Sequence, residues 1–213
     1  MRKSVAVIDY GMGNLHSVVS AVAHEMPDRE IFITADAARI RAADHVIFPG
    51  VGAIRDCMHE IRRFGIDQLI PEIVAGGQPL LGICVGMQAL MRHSEENHGI
   101  DCLHLFAAEV RRFPERDENG LQQKVPHMGW NHVAQVAGHP LWEGIAADSR
   151  FYFVHSYYVA LAGAPEEIGR CHYGVDFAAA VARGNVAAVQ FHPEKSGTCG
   201  LRLIRNFLNW NGG

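Results

Sequence analysis

No run of apolar residues in this 213-residue sequence approaches the roughly 18–20 needed to cross a bilayer. The first apolar stretch ends at Asp9, too short for the core of a secretory leader followed by a small-residue cleavage site. An excess of positive charge is also missing. Lys and Arg number 19 against 23 Asp and Glu, a formal net charge of −4, so neither nucleic acid nor an anionic membrane is an expected partner. No CxxC pair and no HExxH occurs. The five cysteines (Cys57, Cys84, Cys102, Cys171, Cys199) are odd in number and scattered, which argues against a disulfide framework. The histidines form only loose groups, His93, His98, Cys102 and His104, or His127, His132 and His139, so no metal and no cofactor is expected. With no internal repeat, low-complexity tract or Pro/Ser-rich linker, the expectation is one cytoplasmic domain spanning 1–213.

What the sequence does contain is a composition able to fold around a core, with 48% hydrophobic and 20% charged residues. Short apolar runs alternate with helical stretches in the first half. Strands are expected at Ser4–Asp9, Glu30–Thr34, His45–Phe48 and Pro79–Ile83. Helices are expected near Asn14–Ala23, Asp36–Arg41, Ile54–Phe64 and Asp67–Ala75, and from the fourth strand to about Met91. That alternation predicts an α/β fold with a mainly parallel sheet and flanking helices. From about Leu105 to Phe191 the pattern changes to short strands, including Val133–Val136, Phe151–Val154, Glu167–Cys171, Phe177–Val181 and Val186–Phe191, before a last helix at about Gly197–Trp210. The charged segment Glu115–Gly120 reads as an exposed turn.

Three segments could carry chemistry. In Gly82-Ile-Cys84-Val-Gly86-Met-Gln88 a cysteine sits where a strand turns directly into a helix, with glycine at i−2 and i+2. This is the layout of a nucleophile elbow. The glycines allow close strand–helix approach, the helix N-terminus favours thiolate, and the Val85 N–H is placed to bind an oxyanion. The plain alternative is a buried structural cysteine in a tight turn. In Gln190-Phe-His192-Pro-Glu194, extended geometry puts His192 and Glu194 on one side, so a carboxylate can orient an imidazole. Alone, the pair could equally be a surface His beside a Glu; next to a Cys elbow it completes nucleophile, base and orienter. Pro49-Gly50-Val51-Gly52 ends the third strand and should face the same crevice, where Val51 or Gly52 could offer a second oxyanion amide. A simple tight turn is the competing account. Gly11-Met12-Gly13-Asn14 lacks the third glycine of a dinucleotide fingerprint, because His16 stands there, and reads as a capped turn. Val125–Asn131 is expected to be a loop, either a packed surface turn or a binding loop.

Taken together, these residues resemble the class I (triad) glutamine amidotransferases, with a flavodoxin-like fold. Asp9-Tyr-Gly-Met-Gly-Asn-Leu15, Pro49–Gly52, Val125-Pro-His-Met-Gly-Trp-Asn131, His155-Ser-Tyr-Tyr158 and Gln190–Ser196 are similar to the branch of glutaminase subunits of imidazole glycerol phosphate synthases. The resemblance implies a Cys84–His192–Glu194 triad that releases ammonia from L-glutamine through a γ-glutamyl thioester. It implies that Gly50, Gln88, Glu96 and the backbone around Ser156 and Tyr157 hold the substrate. It also implies a heterodimer with a (β/α)8-barrel cyclase subunit, met at or near Trp130 and Asn131, which uses the ammonia to make imidazole glycerol phosphate and the aminoimidazole carboxamide ribonucleotide. Val85 and Ala89 stand where leucines are expected in that pattern, both still apolar. The competing expectations are a class I subunit serving anthranilate, guanine nucleotide or pyridoxal phosphate synthesis, and a non-catalytic protein on the same fold.

Overall fold

The computed structural model describes residues 3–116 and 119–213. The chain runs β1 (Ser4–Ile8), α1 (Leu15–Glu25), β2 (Glu30–Thr34), α2 (Ala37–Ala42), β3 (His45–Gly50), α3 (Ile54–Arg63), α4 (Ile66–Ala75), β4 (Leu80–Cys84) and α5 (Val85–Ala89). The second half continues through β5 (His93–Ser94), β6 (Ile100–Asp101), β7 (Glu109–Arg112), β8 (His127–Gln135), β9 (Ser149–His155), β10 (Tyr157–Ala160), β11 (Glu167–His172), β12 (Asp176–Arg183), β13 (Val186–Val189) and α6 (Gly197–Asn209). Of the expected charged turn, Asp117 and Glu118 lie outside the described residues, as do Met1 and Arg2; its flanks are joined by a bridge between Arg116 and Gln122.

Five parallel strands form one side of the sheet in the order β2-β1-β3-β4-β13. Strand β12 then runs antiparallel to β13, and β10, β7, β5 and β6 extend that edge. β3 and β4 are buried at every position, as strands covered on both faces must be. This is why they read as unbroken apolar runs rather than alternating ones. Helix α3 turns Ile54, Cys57, Met58 and Ile61 inward, at the i, i+3, i+4 and i+7 spacing of one helical face, and carries charge on the other. Each fully buried Ile, Leu or Phe of this core contributes roughly 1.5–3 kcal/mol over its exposed state. The C-terminal Trp210 is part of that core: His45 Nε2 donates to its carbonyl at 2.9 Å, and its ring packs against Phe207 and His139.

The expected loop over Val125–Asn131 is corrected by the structure. From His127 onward it is β8, laddered with β9 from His127 opposite His155 to Val133 opposite Ser149. Burial alternates strictly here, with His127, Asn131 and Val133 turned inward and Met128, Trp130 and His132 turned out. The period of two was hidden because two of the inward positions are polar.

Candidate active site

Register within the sheet brings the three motifs together. β3 pairs with β4 so that Gly50 lies opposite Cys84, and β4 pairs with β13 so that Ile83 lies opposite Val189. The residues that follow each strand therefore emerge at one end of three adjacent parallel strands, the usual place for a ligand crevice in an open α/β sheet. A cavity of ~370 Å³ opens there, lined by Val51, Gly52, Cys84, Gln88, Glu96 and His192 among others.

Cys84 has φ 56° and ψ −112°, a backbone conformation that is rare and costly for a residue with a side chain. It is sustained by the packing around it. A Cβ on Gly86 would lie 2.0 Å from the Phe48 carbonyl oxygen, and one on Gly50 would lie 2.6 Å from the Tyr10 hydroxyl and 2.8 Å from the Gly86 nitrogen. Both glycines are thus required by close approach of α5 to β3. Gly50 stands in this contact, behind the cavity wall formed by Val51 and Gly52. The loop is anchored from below, where the Tyr10 hydroxyl donates to the Pro49 carbonyl at 2.8 Å and the Cys57 thiol donates to the Val51 carbonyl at 3.4 Å. Burial pushes the Cys57 thiol up to about 12.

His192 Nδ1 lies 2.8 Å from Glu194 Oε1, with 3% and 1% of the two side chains exposed. The carboxylate occupies Nδ1, so Nε2 is the ring nitrogen left for another partner. Burial opposes a proton on this imidazole, but bonds to Cys84 and Glu194 outweigh it and raise its pKa to about 10. The backbone also holds the ring: His192 N–H donates to the Tyr152 carbonyl, and Ser196 Oγ donates to the His192 carbonyl at 2.6 Å. Glu194 Oε2 is buried and has no hydrogen-bond partner among the described residues.

The opposite wall carries Glu96, Ser156 and Tyr157. Glu96 Oε2 accepts from the Ile54 N–H at 3.2 Å, and burial raises its carboxyl above the usual range despite that bond. Gln88 Nε2 donates both to the Tyr157 carbonyl and to Gln190 Oε1, each at 3.0 Å, and Gln190 Nε2 approaches the Cys84 sulfur at 3.9 Å. Tyr10, Gln190 and His155 lie within quoted motifs but were given no role from sequence; Tyr10 and Gln190 reach partners far away in the chain, and His155 bonds to His127 as well as to the nearby Tyr157 carbonyl. Trp130, by contrast, is 47% exposed on the outer face of β8, beside Met128 at 59%. Among the described residues no group of three or more His, Cys, Asp or Glu is arranged to hold a metal ion. Nor is any helix of the described residues long and apolar enough to cross a membrane.

With this geometry in view, comparison with known proteins is direct. Residues 6–210 match the family described as glutamine amidotransferase class-I. The chain is 59% identical to the imidazole glycerol phosphate synthase subunit HisH of Pseudomonas putida over 211 residues, covering 99% of each chain. It is 58% identical over 213 residues to a HisH subunit of Pseudomonas aeruginosa, covering 100% of this chain and 99% of the relative. Among solved structures, a glutamine amidotransferase superimposes with TM-score 0.73 at 21% identity, over 98% of this chain and 99% of the other. A putative GMP synthase subunit from Thermoplasma acidophilum gives 0.70 at 19% identity, over 98% and 94%. At those identities the two structures speak for the fold alone.

Proposed function

The chain belongs to the class-I glutamine amidotransferases, in the branch of HisH subunits of imidazole glycerol phosphate synthase, and on that premise we propose that it hydrolyses glutamine through Cys84, His192 and Glu194 and passes the ammonia to a cyclase subunit. The Cys84 thiolate attacks the side-chain amide carbon of glutamine. The Val85 N–H, at the start of α5, and an amide of Val51 or Gly52 hold the oxyanion that forms. His192, as imidazolium oriented by Glu194, gives its proton to the departing nitrogen; the C–N bond breaks, ammonia leaves, and a γ-glutamyl thioester remains. Water then attacks the thioester, His192 takes its proton, and glutamate is released with the thiolate restored.

Support comes from one observation above the others. A strained cysteine and a carboxylate-bound imidazole, over a hundred positions apart in sequence, line one cavity at the ends of neighbouring strands. Gln88, Glu96 and the Ser156–Tyr157 backbone, also in its walls, supply polar groups for the substrate's amino and carboxylate ends. The identity to the HisH subunits, far above that to the other class-I structures, favours this branch over its sister branches.

Ammonia set free in water is soon protonated and loses its nucleophilic lone pair, so an enclosed route into the partner is favoured. In this proposal the partner is a (β/α)8-barrel cyclase seated against the outer face of β8 around Trp130, with the neighbouring inward-turned Asn131 at its margin. The oxyanion amide of the Pro49–Gly52 loop is the gate that the partner turns on. The chain acts as one amidotransferase domain in the cytoplasm. The test is His192→Ala in the complex. Glutamine-dependent synthesis should disappear while synthesis from added ammonium salt continues. Loss of both would assign His192 to assembly instead of chemistry.

A further inference from the structure

Two buried histidines are joined ring to ring at the cavity, with His155 in its lining and His127 behind it. His127 Nδ1 lies 2.9 Å from His155 Nε2, His155 Nδ1 lies 2.8 Å from the Tyr157 carbonyl, and Asn131 Nδ2 lies 3.2 Å from His127 Nε2. Only 3% of His127 and 6% of His155 is exposed. His127 is sandwiched between Tyr173 at 4.1 Å and Phe153 at 4.7 Å, and His155 meets Phe113 at 5.1 Å and Phe177 at 5.4 Å. This aromatic cage keeps both imidazoles neutral: burial lowers His127 to about 4 and His155 to about 3.

Neutral rings have one donor and one acceptor, so every proton in the chain can be assigned. Asn131 Oδ1 accepts from the His132 N–H at 2.8 Å and Nδ2 donates to the His172 carbonyl at 2.9 Å, which fixes the amide orientation. The second Asn131 N–H therefore donates to His127 Nε2. His127 must then donate from Nδ1 to His155 Nε2, and His155 from Nδ1 to the Tyr157 carbonyl. Reversing the order at Asn131 would set the His155 Nδ1 lone pair against that carbonyl, acceptor facing acceptor. The Tyr157 carbonyl also receives Gln88 Nε2, whose other N–H reaches Gln190 and, beyond it, Cys84.

We infer that Asn131, His127 and His155 form a hydrogen-bond relay of fixed direction that positions the Tyr157 carbonyl, and with it Gln88, for binding glutamine. The inference rests on the glutaminase proposal and deepens it: these three are positioning residues, touching no reacting atom. A core of this kind could be apolar at no loss of packing; two neutral histidines in series serve to aim one carbonyl. The surface end of the relay, Asn131, sits on β8 beside the exposed Trp130.

Two measurements on the full chain with its cyclase partner test it. Histidine ¹⁵N NMR should find the Nδ1–H tautomer at both His127 and His155, and an Nε2–H tautomer at either overturns the relay. Asn131→Asp keeps the acceptor for His132 but turns an oxygen toward His127 Nε2, so the His127 resonances should leave the Nδ1–H pattern. Glutamine KM, read with the cyclase subunit saturating, should rise about three- to tenfold. His127→Phe with His155→Phe, which refills the cage without the relay, should raise KM in the same way. KM within twofold of wild type in both variants overturns the proposal, as does a fall in kcat alone. A wild-type complex without glutaminase activity would reject the functional proposal instead, and the tautomers of the wild type would still decide the relay.

Discussion

Glu194→Gln isolates what the buried carboxylate contributes. The side chain is 1% exposed, its Oε1 lies 2.8 Å from His192 Nδ1, and its Oε2 has no hydrogen-bond partner among the described residues. An amide of nearly the same shape can place its NH2 where Oε2 was and still offer an oxygen to the ring, so the variant removes charge and leaves geometry. A charge-assisted bond is worth about 1.5–3 kcal/mol against about 0.5–1.5 for a neutral one. The Coulomb attraction at ~3 Å and an effective dielectric near 20 sets an upper bound of about 5–6 kcal/mol on what an imidazolium can lose. The barrier to thioester formation should therefore rise by about 2–4 kcal/mol, a loss of roughly 30- to 1,000-fold in glutamine turnover. His192, held up to about 10 by Cys84 and Glu194 together, loses the second of these supports and shifts down, and the alkaline limb of the pH profile moves with it. The assay compares product formation by the complex from glutamine and from ammonium salt. The ammonium rate should match wild type. Glutamine turnover within threefold of wild type would refute the role given to the carboxylate.

Further expectations follow from the two faces of β8. The pKa values of His127, about 4, and His155, about 3, lie below the 6.5 of an unfolded imidazole. The unfolded chain thus binds more protons in that window, and the stability these groups contribute is present above pH 6.5 and lost as pH falls toward their folded values. Urea denaturation should show a loss of roughly 2–4 kcal/mol between pH 7 and 5 that His127→Phe with His155→Phe largely removes; an unchanged slope would mean that the rings are already charged. Trp130→Ala should weaken the cyclase complex by about 30-fold or more, as for a central aromatic anchor, with little change in the melting temperature of the free chain. Unaltered affinity would move the interface elsewhere.

Much of the fold was legible because parallel strands declare themselves. β2 runs over Glu30–Thr34 as its β-branched residues indicate, and β3 and β4 were visible as short apolar runs. The meeting of Cys84, His192 and Glu194 at one cavity was legible for a related reason: the Cys84 elbow and the His192-x-Glu194 pair are local patterns, and the topology rule for sheet ends brings them together. What stayed hidden was non-local or disguised. β8 looked like a loop because the inward positions His127 and Asn131 are polar, and their burial makes sense only once Tyr173, Phe153 and His155 close around them. Gln190 gave no sign that it would reach back 106 positions to Cys84. Gly50 was expected in the substrate site from the family resemblance, whereas its lack of a Cβ is needed first for the contact with Tyr10 and Gly86. The tail, without any motif, is held by His45 and buried through Trp210.

Covalent capture of the nucleophile tests the central claim most directly. With the partner and its ligand present, an electrophilic glutamine analogue should attach one equivalent to Cys84, read by peptide mass spectrometry, and abolish glutamine turnover while sparing the ammonium reaction. Attachment at Cys57 or Cys199 instead, or full turnover after complete modification of Cys84, would contradict it.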